Sequence, residues 1–240
     1  MDYDSPSLGA RMRRSLGYRG PWRTLRVGAA LGAYRLRYGW NAPRPHAFDL
    51  EYGTDTASLA AASTLKGDAV NGNGHEPIDT VDFRRLMGDL PAIDLRGFTF
   101  VDFGAGQGRA VLLAAEYPLA RIVGVEHGLE LVRSAEANVA RYLSRSGRRQ
   151  RCRELTIDWA DAATWELPQG PALFYFCEPF RAPMLQRMIG RIAVSVETAP
   201  RPVYVLYVGA QGALWDAHPA FHLLRSRYES RVYAAGTAAS

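Results

Sequence analysis

Two cysteines, a single lysine and no long apolar run are what this chain has least of. Cys152 and Cys177 stand far apart with no paired spacing, which argues against a disulfide framework or a zinc site and fits a reducing cytoplasm. The five histidines are scattered and none makes a metal-ligand pair, so no metal site is expected. No apolar stretch reaches the roughly 18 residues that a membrane span needs. Arg11, Arg13 and Arg14 are not followed by an uninterrupted apolar core, so the opening residues are not expected to act as a signal peptide. Lys66 is the one lysine among 29 basic residues, so the net charge of +5 rests on arginine. An excess of that size names no partner by itself.

At 240 residues with 48% hydrophobic content, the chain has ample material for one core. One catalytic-type domain over 48–240, preceded by a basic extension over 1–47, is the expected organisation. Between Arg11 and Arg44 lie nine arginines and no acid. Trp22, Leu25, Ala29 and Ala33, with Leu36 nearby, fall at roughly helical spacing, and Arg23, Arg26 and Arg37 lie elsewhere around the turn. Such a helix suits a membrane surface or nucleic acid. The plainer expectation is a surface helix that packs its Trp and Tyr side chains on the following domain.

The stretch Thr99–Arg109, TFVDFGAGQGR, organises the rest. Phe98, Phe100, Val101 and Phe103 read as a buried strand, and Gly104, Gly106 and Gly108 lead at once into a helical pattern. A strand that runs through glycines into a helix brings backbone close to a ligand and is expected to aim free N–H groups at it. Glu126 ends the next apolar run, Arg121–Glu126, where an acid can accept both ribose hydroxyls. Asp161 follows a third run, Leu155 to Ala160. The dinucleotide fingerprint G-x-G-x-x-G fits poorly, because its third glycine falls at Arg109.

Around this turn the pattern alternates. Ile78 to Leu90 reads as a helix stopped by Pro91, preceded by helix propensity from Ala57 to Leu65 and a Gly/Asn loop near 71–74. Arg109–Glu116, Leu129–Leu143 (Val132, Ala135, Val139 and Tyr142 on one face) and the segment marked by Leu185, Met188, Ile192 and Val196 read as helices. Ala172–Cys177 and Val203–Val208 read as buried parallel strands. Phe221–Arg227 and Arg231–Ala234 around Tyr228-Glu229-Ser230 read as a hairpin. Tyr52–Thr56 is either a locally bonded turn or a lid over a site.

G-x-G-x-G after Asp102 resembles motif I of the class I S-adenosylmethionine-dependent methyltransferases. Gly124-Val125-Glu126, Pro179-Phe180 after the fourth strand and Glu76-Pro77 upstream narrow the likeness. They resemble a small bacterial group distantly similar to the seven-strand protein-lysine methyltransferases, over about 48–235. The resemblance implies an αβα sandwich with a mostly parallel seven-stranded sheet and a C-terminal antiparallel hairpin, the Rossmann-like methyltransferase fold. A dinucleotide domain is not expected to end in such a hairpin, which leaves the nicotinamide reading as runner-up.

The resemblance also implies S-adenosyl-L-methionine as cofactor. Gly104, Gly106 and Gly108 would cradle its methionyl and ribose parts, Asp102 its ammonium end, Glu126 the ribose and Asp161 the adenine. Phe103, Ala105, His127, Ala162 and Glu178 complete the expected cofactor set. Glu178, Phe180 and Glu76 are the expected catalytic or substrate residues. This chain has Glu178 where such relatives carry asparagine, and His75 where they carry tyrosine. A glutamate there can orient an amine, hold a cation or act as base; the structural alternatives are a cap for the next helix or a pair with Arg181. The methyl acceptor is expected to be a nitrogen of a protein lysine or small molecule. A nucleic-acid acceptor and a non-enzymatic cofactor binder are the alternatives. Neither a membrane span nor an oligomeric state is implied.

Overall fold

The computed structural model describes residues 21–39, 45–57, 77–146 and 150–236. His75 and Glu76, and the expected helix beyond Ala57, lie outside them. The chain divides into two compact units, one up to Thr54 and the other from Asp55 onward.

In the first unit, helix α1 spans Pro21–Tyr38 and helix α2 spans Ala47–Tyr52. His46 starts α2 by accepting the Phe48 N–H at 3.2 Å. Gly53, at φ +68°, ends it in the left-handed conformation that favours glycine. The Thr54 hydroxyl then donates to the buried Asp49 carboxylate at 2.7 Å. The start of the Tyr52–Thr56 stretch is therefore a helix C-cap. Trp22 on α1 is 81% exposed.

The second unit begins with α3, Thr80–Gly88, capped by Asp79, which accepts the Val81 N–H at 2.7 Å. A 3-10 turn, Leu95–Gly97, leads into β1, Thr99–Phe103, and then α4, Arg109–Ala114. There follow β2 (Arg121–Glu126), α5 (Leu129–Ser146), β3 (Glu154–Trp159), β4 (Ala172–Cys177) and α6 (Ala182–Thr198). The chain continues through β5 (Val203–Val208), α7 (Ala213–Asp216), β6 (His222–Arg227) and β7 (Ser230–Ala235).

The seven strands form one sheet in the order β3-β2-β1-β4-β5-β7-β6. The first five in that order run parallel, and β7 is antiparallel to both β5 and β6. Tyr228, at φ +51°, opens the two-residue turn between β6 and β7. Edge strand β6 is exposed along its whole length. A register break between Leu223 and Arg225 and two arginines discourage further strand pairing there.

Strand alternation gives the sheet two different faces. Val101, Phe103, Val123, Val125, Phe174, Phe176, Val205 and Tyr207 share one apolar cluster with Leu185, Met188, Ile189 and Ile192 of α6. Phe103 stacks on both Phe174 and Phe176, with centroids 5.8 and 5.2 Å apart. The other face carries Phe100, Asp102 and Tyr175, with Phe83 of α3 meeting Phe100 and Tyr175 edge-on. After β1 the chain crosses to β2 on one side, and β4 joins β1 on the other. An open parallel sheet binds ligands beyond its carboxyl edge at such a reversal.

Candidate functional site

The sheet order puts β3, β2 and β1 side by side, so their carboxyl ends bring Asp161, Glu126 and Asp102 to one edge. β3 itself stops at Trp159, and Asp161 sits in the turn beyond it.

Gly104, Gly106 and Gly108 adopt φ of +75°, +55° and +87°. At Gly104 a Cβ would lie 2.5 Å from the Cβ of Pro179, so glycine there lets the β1 turn approach the segment after β4. The expectation of free N–H groups in this turn is corrected. Gly104 and Ala105 both donate to the Val125 carbonyl, at 2.9 and 3.2 Å, and Gly108 donates to Ala105 at 2.8 Å. Gly106 donates to Glu126 Oε2 at 2.9 Å. The turn spends these donors internally, a poor arrangement for cradling a phosphate and a good one for a fixed, shaped wall.

Glu126 is buried at the tip of β2. Its second oxygen accepts the Gly128 N–H at 2.8 Å, so one carboxylate joins the glycine turn to the segment after β2. A carboxylate has about four acceptor sites, so acceptor capacity for hydroxyls remains. Beside it, the exposed Trp159 indole donates to the His127 carbonyl at 2.9 Å and fixes the backbone there.

Asp102 is 3% exposed and faces away from the Phe103 cluster. Among the described residues its carboxyl accepts no hydrogen bond. Burial, and secondarily the charge of Glu126, push its pKa from 3.8 up to about 8. Tyr175 lies opposite Asp102 in the sheet register, and burial together with Cys177 and Asp102 drives its phenol well above the usual range. Asp161 is exposed and accepts the Ala163 N–H at 2.8 Å. Arg191 of α6 donates to the carbonyls of Ala162 and Trp165, which holds that turn against the helix.

Glu178 leaves β4 at φ +44°, a conformation uncommon for a residue with a side chain. Its side chain lies over Gly209, and its Oε1 accepts the Ala210 N–H at 2.8 Å. What it secures is the loop after β5; the α6 N-terminus has Arg181 at the cap with no side-chain bond to it. The Phe180 carbonyl accepts from Gln211 at 2.9 Å, and its ring meets Phe176 edge-on. The Phe103 ring is fully buried in the apolar cluster, so only its backbone borders the turn.

A set of polar side chains next to the turn was not expected. Asn138 of α5 is fully buried; its amide donates to the Asp55 carbonyl at 2.8 Å and accepts the Asp55 N–H at 2.9 Å. It also donates to the Gln107 carbonyl at 3.0 Å, and Gln107 donates to the Asp55 carbonyl at 2.9 Å. Arg109 donates to the buried Thr56 hydroxyl. Asp55 and Thr56 are thus clamped against the glycine turn rather than swinging as a lid. An asparagine within the apolar stripe of α5 was the sequence signal for it.

No family model matches the chain, and no curated protein matches it. Among solved structures, a predicted N6-adenine-specific DNA methylase from Listeria monocytogenes overlays with a TM-score of 0.48 at 15% identity. That overlay covers 68% of this chain and 52% of the other, so this chain spans about half of that protein. A 16S rRNA N2 G1207 methyltransferase of T. thermophilus, solved with AdoMet and guanosine, overlays at 0.47 and 17% identity, over 69% of this chain and 44% of that one. Magnesium protoporphyrin IX methyltransferase from Synechocystis, with bound SAM, overlays at 0.41 and 14% identity, over 98% and 99%. The strand order itself, with its antiparallel last pair, makes this the Rossmann-like methyltransferase fold.

Proposed function

We propose that this chain is an enzyme that transfers a methyl group from S-adenosyl-L-methionine to a nitrogen of a protein lysine or a small molecule. The observation that carries the proposal is the row of acids at the ends of β1, β2 and β3 around a glycine turn whose N–H groups are mostly spent. A dinucleotide needs those donors for its pyrophosphate. An adenosyl sulfonium with an amino-acid tail has no phosphate and carries positive charge. The buried Asp102 carboxyl, which accepts no hydrogen bond among the described residues, suits the ammonium end, and the spare acceptor sites of Glu126 suit ribose hydroxyls. Asp161 and the Ala162 backbone would meet the adenine, with His127 beside the ribose.

The sulfonium supplies an activated methyl group when bound, so the protein's part is chiefly alignment. Glu178 is the acceptor-side residue of this reading. Its uncommon backbone conformation and the bond to Ala210 fix the carboxylate between the β4 and β5 ends, where it can orient an amine lone pair or hold a cation. Phe180 contributes a wall, and Glu76 stays a candidate on the resemblance alone. A nucleic-acid acceptor is the second reading, supported by the nine arginines from Arg11 to Arg44.

Calorimetry with S-adenosylhomocysteine and with NAD, followed by transfer of labelled methyl into protein, nucleic-acid and small-molecule fractions, tests the proposal. S-adenosylhomocysteine binding with label in the protein or small-molecule fraction supports it. Tight NAD binding without S-adenosylhomocysteine binding overturns it, and binding without any transfer makes the chain a cofactor-binding protein instead.

A further inference from the structure

We propose that α1 is an in-plane anchor for anionic lipid surfaces. Its 18 residues give a rod about 27 Å long. At 100° per residue, Val27, Leu31 and Tyr34 share one side and are all half-buried. The opposite arc holds Trp22, Leu25, Ala29, Ala33 and Leu36, and its three large side chains are 81%, 66% and 89% exposed. Single exposed apolar residues are ordinary on a protein surface, whereas three on one helical arc form a stripe.

Charge selects the occupant. Arg26 and Arg37, both exposed, border the stripe along one edge, and Gly28 and Gly32 lie along the other with open space around them. The helix contains no acid, and none occurs between Asp4 and Asp49. A nucleic-acid duplex would use the arginines but gain nothing from an exposed Trp-Leu-Leu stripe. An anionic bilayer uses both, with rings and leucines in the acyl boundary and guanidinium groups at the headgroups. No described helix is long and apolar enough to cross the membrane, so the contact lies along the surface.

Co-sedimentation of the full chain with vesicles tests this. Vesicles of phosphatidylglycerol mixed with phosphatidylcholine should bind the protein, and phosphatidylcholine alone should not. Leu25→Gln combined with Leu36→Gln should weaken partitioning about tenfold or more at unchanged melting temperature. Arg26→Gln and Arg37→Gln should each cost about fivefold and flatten the salt dependence. Vesicle-induced change in tryptophan emission should vanish in Trp22→Phe. Absence of partitioning onto anionic vesicles, or partitioning that the leucine pair leaves undiminished, overturns the proposal. So does tight, salt-sensitive binding to duplex DNA or transfer RNA that exceeds vesicle binding and survives the leucine substitutions, because the helix is then a nucleic-acid contact.

Discussion

Replacing Asp102 with asparagine keeps the shape of a buried side chain and removes its ability to ionise. In the folded protein the carboxyl titrates near pH 8, against 3.8 for an unperturbed aspartate, because burial disfavours its charge and Glu126 adds to the penalty. A raised folded pKa means that the native state holds the proton longer than the unfolded chain does. The stability from this group is therefore fully present below about pH 4 and is lost progressively as pH rises to about 8. At pH 7 the loss spans three pH units at 1.36 kcal/mol each, about 4 kcal/mol as an upper value. The amide brings its own desolvation of about 1–3 kcal/mol. A net gain of roughly 1–3 kcal/mol for Asp102→Asn at pH 7 is expected, with little or no gain at pH 4.

Urea unfolding of the ligand-free proteins across pH 4 to 8 reads this directly. The wild-type stability should slope downward with pH, and the slope should be shallower in Asp102→Asn. Cofactor binding should move the opposite way. A cation placed against Asp102 favours its charged form, so wild-type binding of S-adenosylhomocysteine should release a proton below pH 8 and tighten as pH rises, and the variant should bind at least tenfold more weakly. Equal destabilisation by Asp102→Asn at both ends of the pH range would refute the reasoning, since the residue would then be an ordinary packing partner.

Glu126→Ala should weaken cofactor binding and also destabilise the fold by about 1–3 kcal/mol, because Gly106 and Gly128 lose their acceptor; titration calorimetry and a melting curve measure both. Asn138→Ala removes the side chain that holds both backbone groups of Asp55, and should cost about 2–4 kcal/mol and raise hydrogen exchange at Asp55 and Thr56. Glu178→Gln keeps an oxygen for the Ala210 N–H, so melting temperature and cofactor affinity should hold while turnover falls about tenfold or less. A larger fall with loss of the acidic limb of the pH–rate profile would show that Glu178 takes the proton.

The central strands were legible because β2, β4 and β5 are largely apolar or aromatic runs between turn residues. Arg121–Glu126, Ala172–Cys177 and Val203–Val208 end where the runs end. Period-two alternation likewise separates Asp102 from Val101 and Phe103. Helix α2 was hidden because six residues show too little periodicity, and its start depends on a His46 cap. Hydrogen bonding of the glycine turn was hidden for a different reason. Its acceptor, the Val125 carbonyl, belongs to another strand and becomes available only once β2 lies beside β1. Glu178 shows the same limit, since its partner Ala210 follows β5 and no local pattern joins them.

The three acids at the sheet edge differ in how far the protein itself satisfies them. Among the described residues, Glu126 receives two backbone N–H groups and Asp161 one, while Asp102, the most deeply buried, receives none. A protein optimised for stability alone would place an apolar residue at 102, since the neighbouring Phe100 and Tyr175 already form an aromatic surface. The cost is tolerable because the opposite face of the same strands carries the Phe103–Phe174–Phe176 stack and the α6 side chains, which do not depend on the site. A cation arriving at Asp102 then relieves a penalty built into the ligand-free fold. On the proposed reading, part of the cofactor's binding free energy is spent on deprotonating the carboxyl at pH 7, and affinity should rise with pH toward about 8.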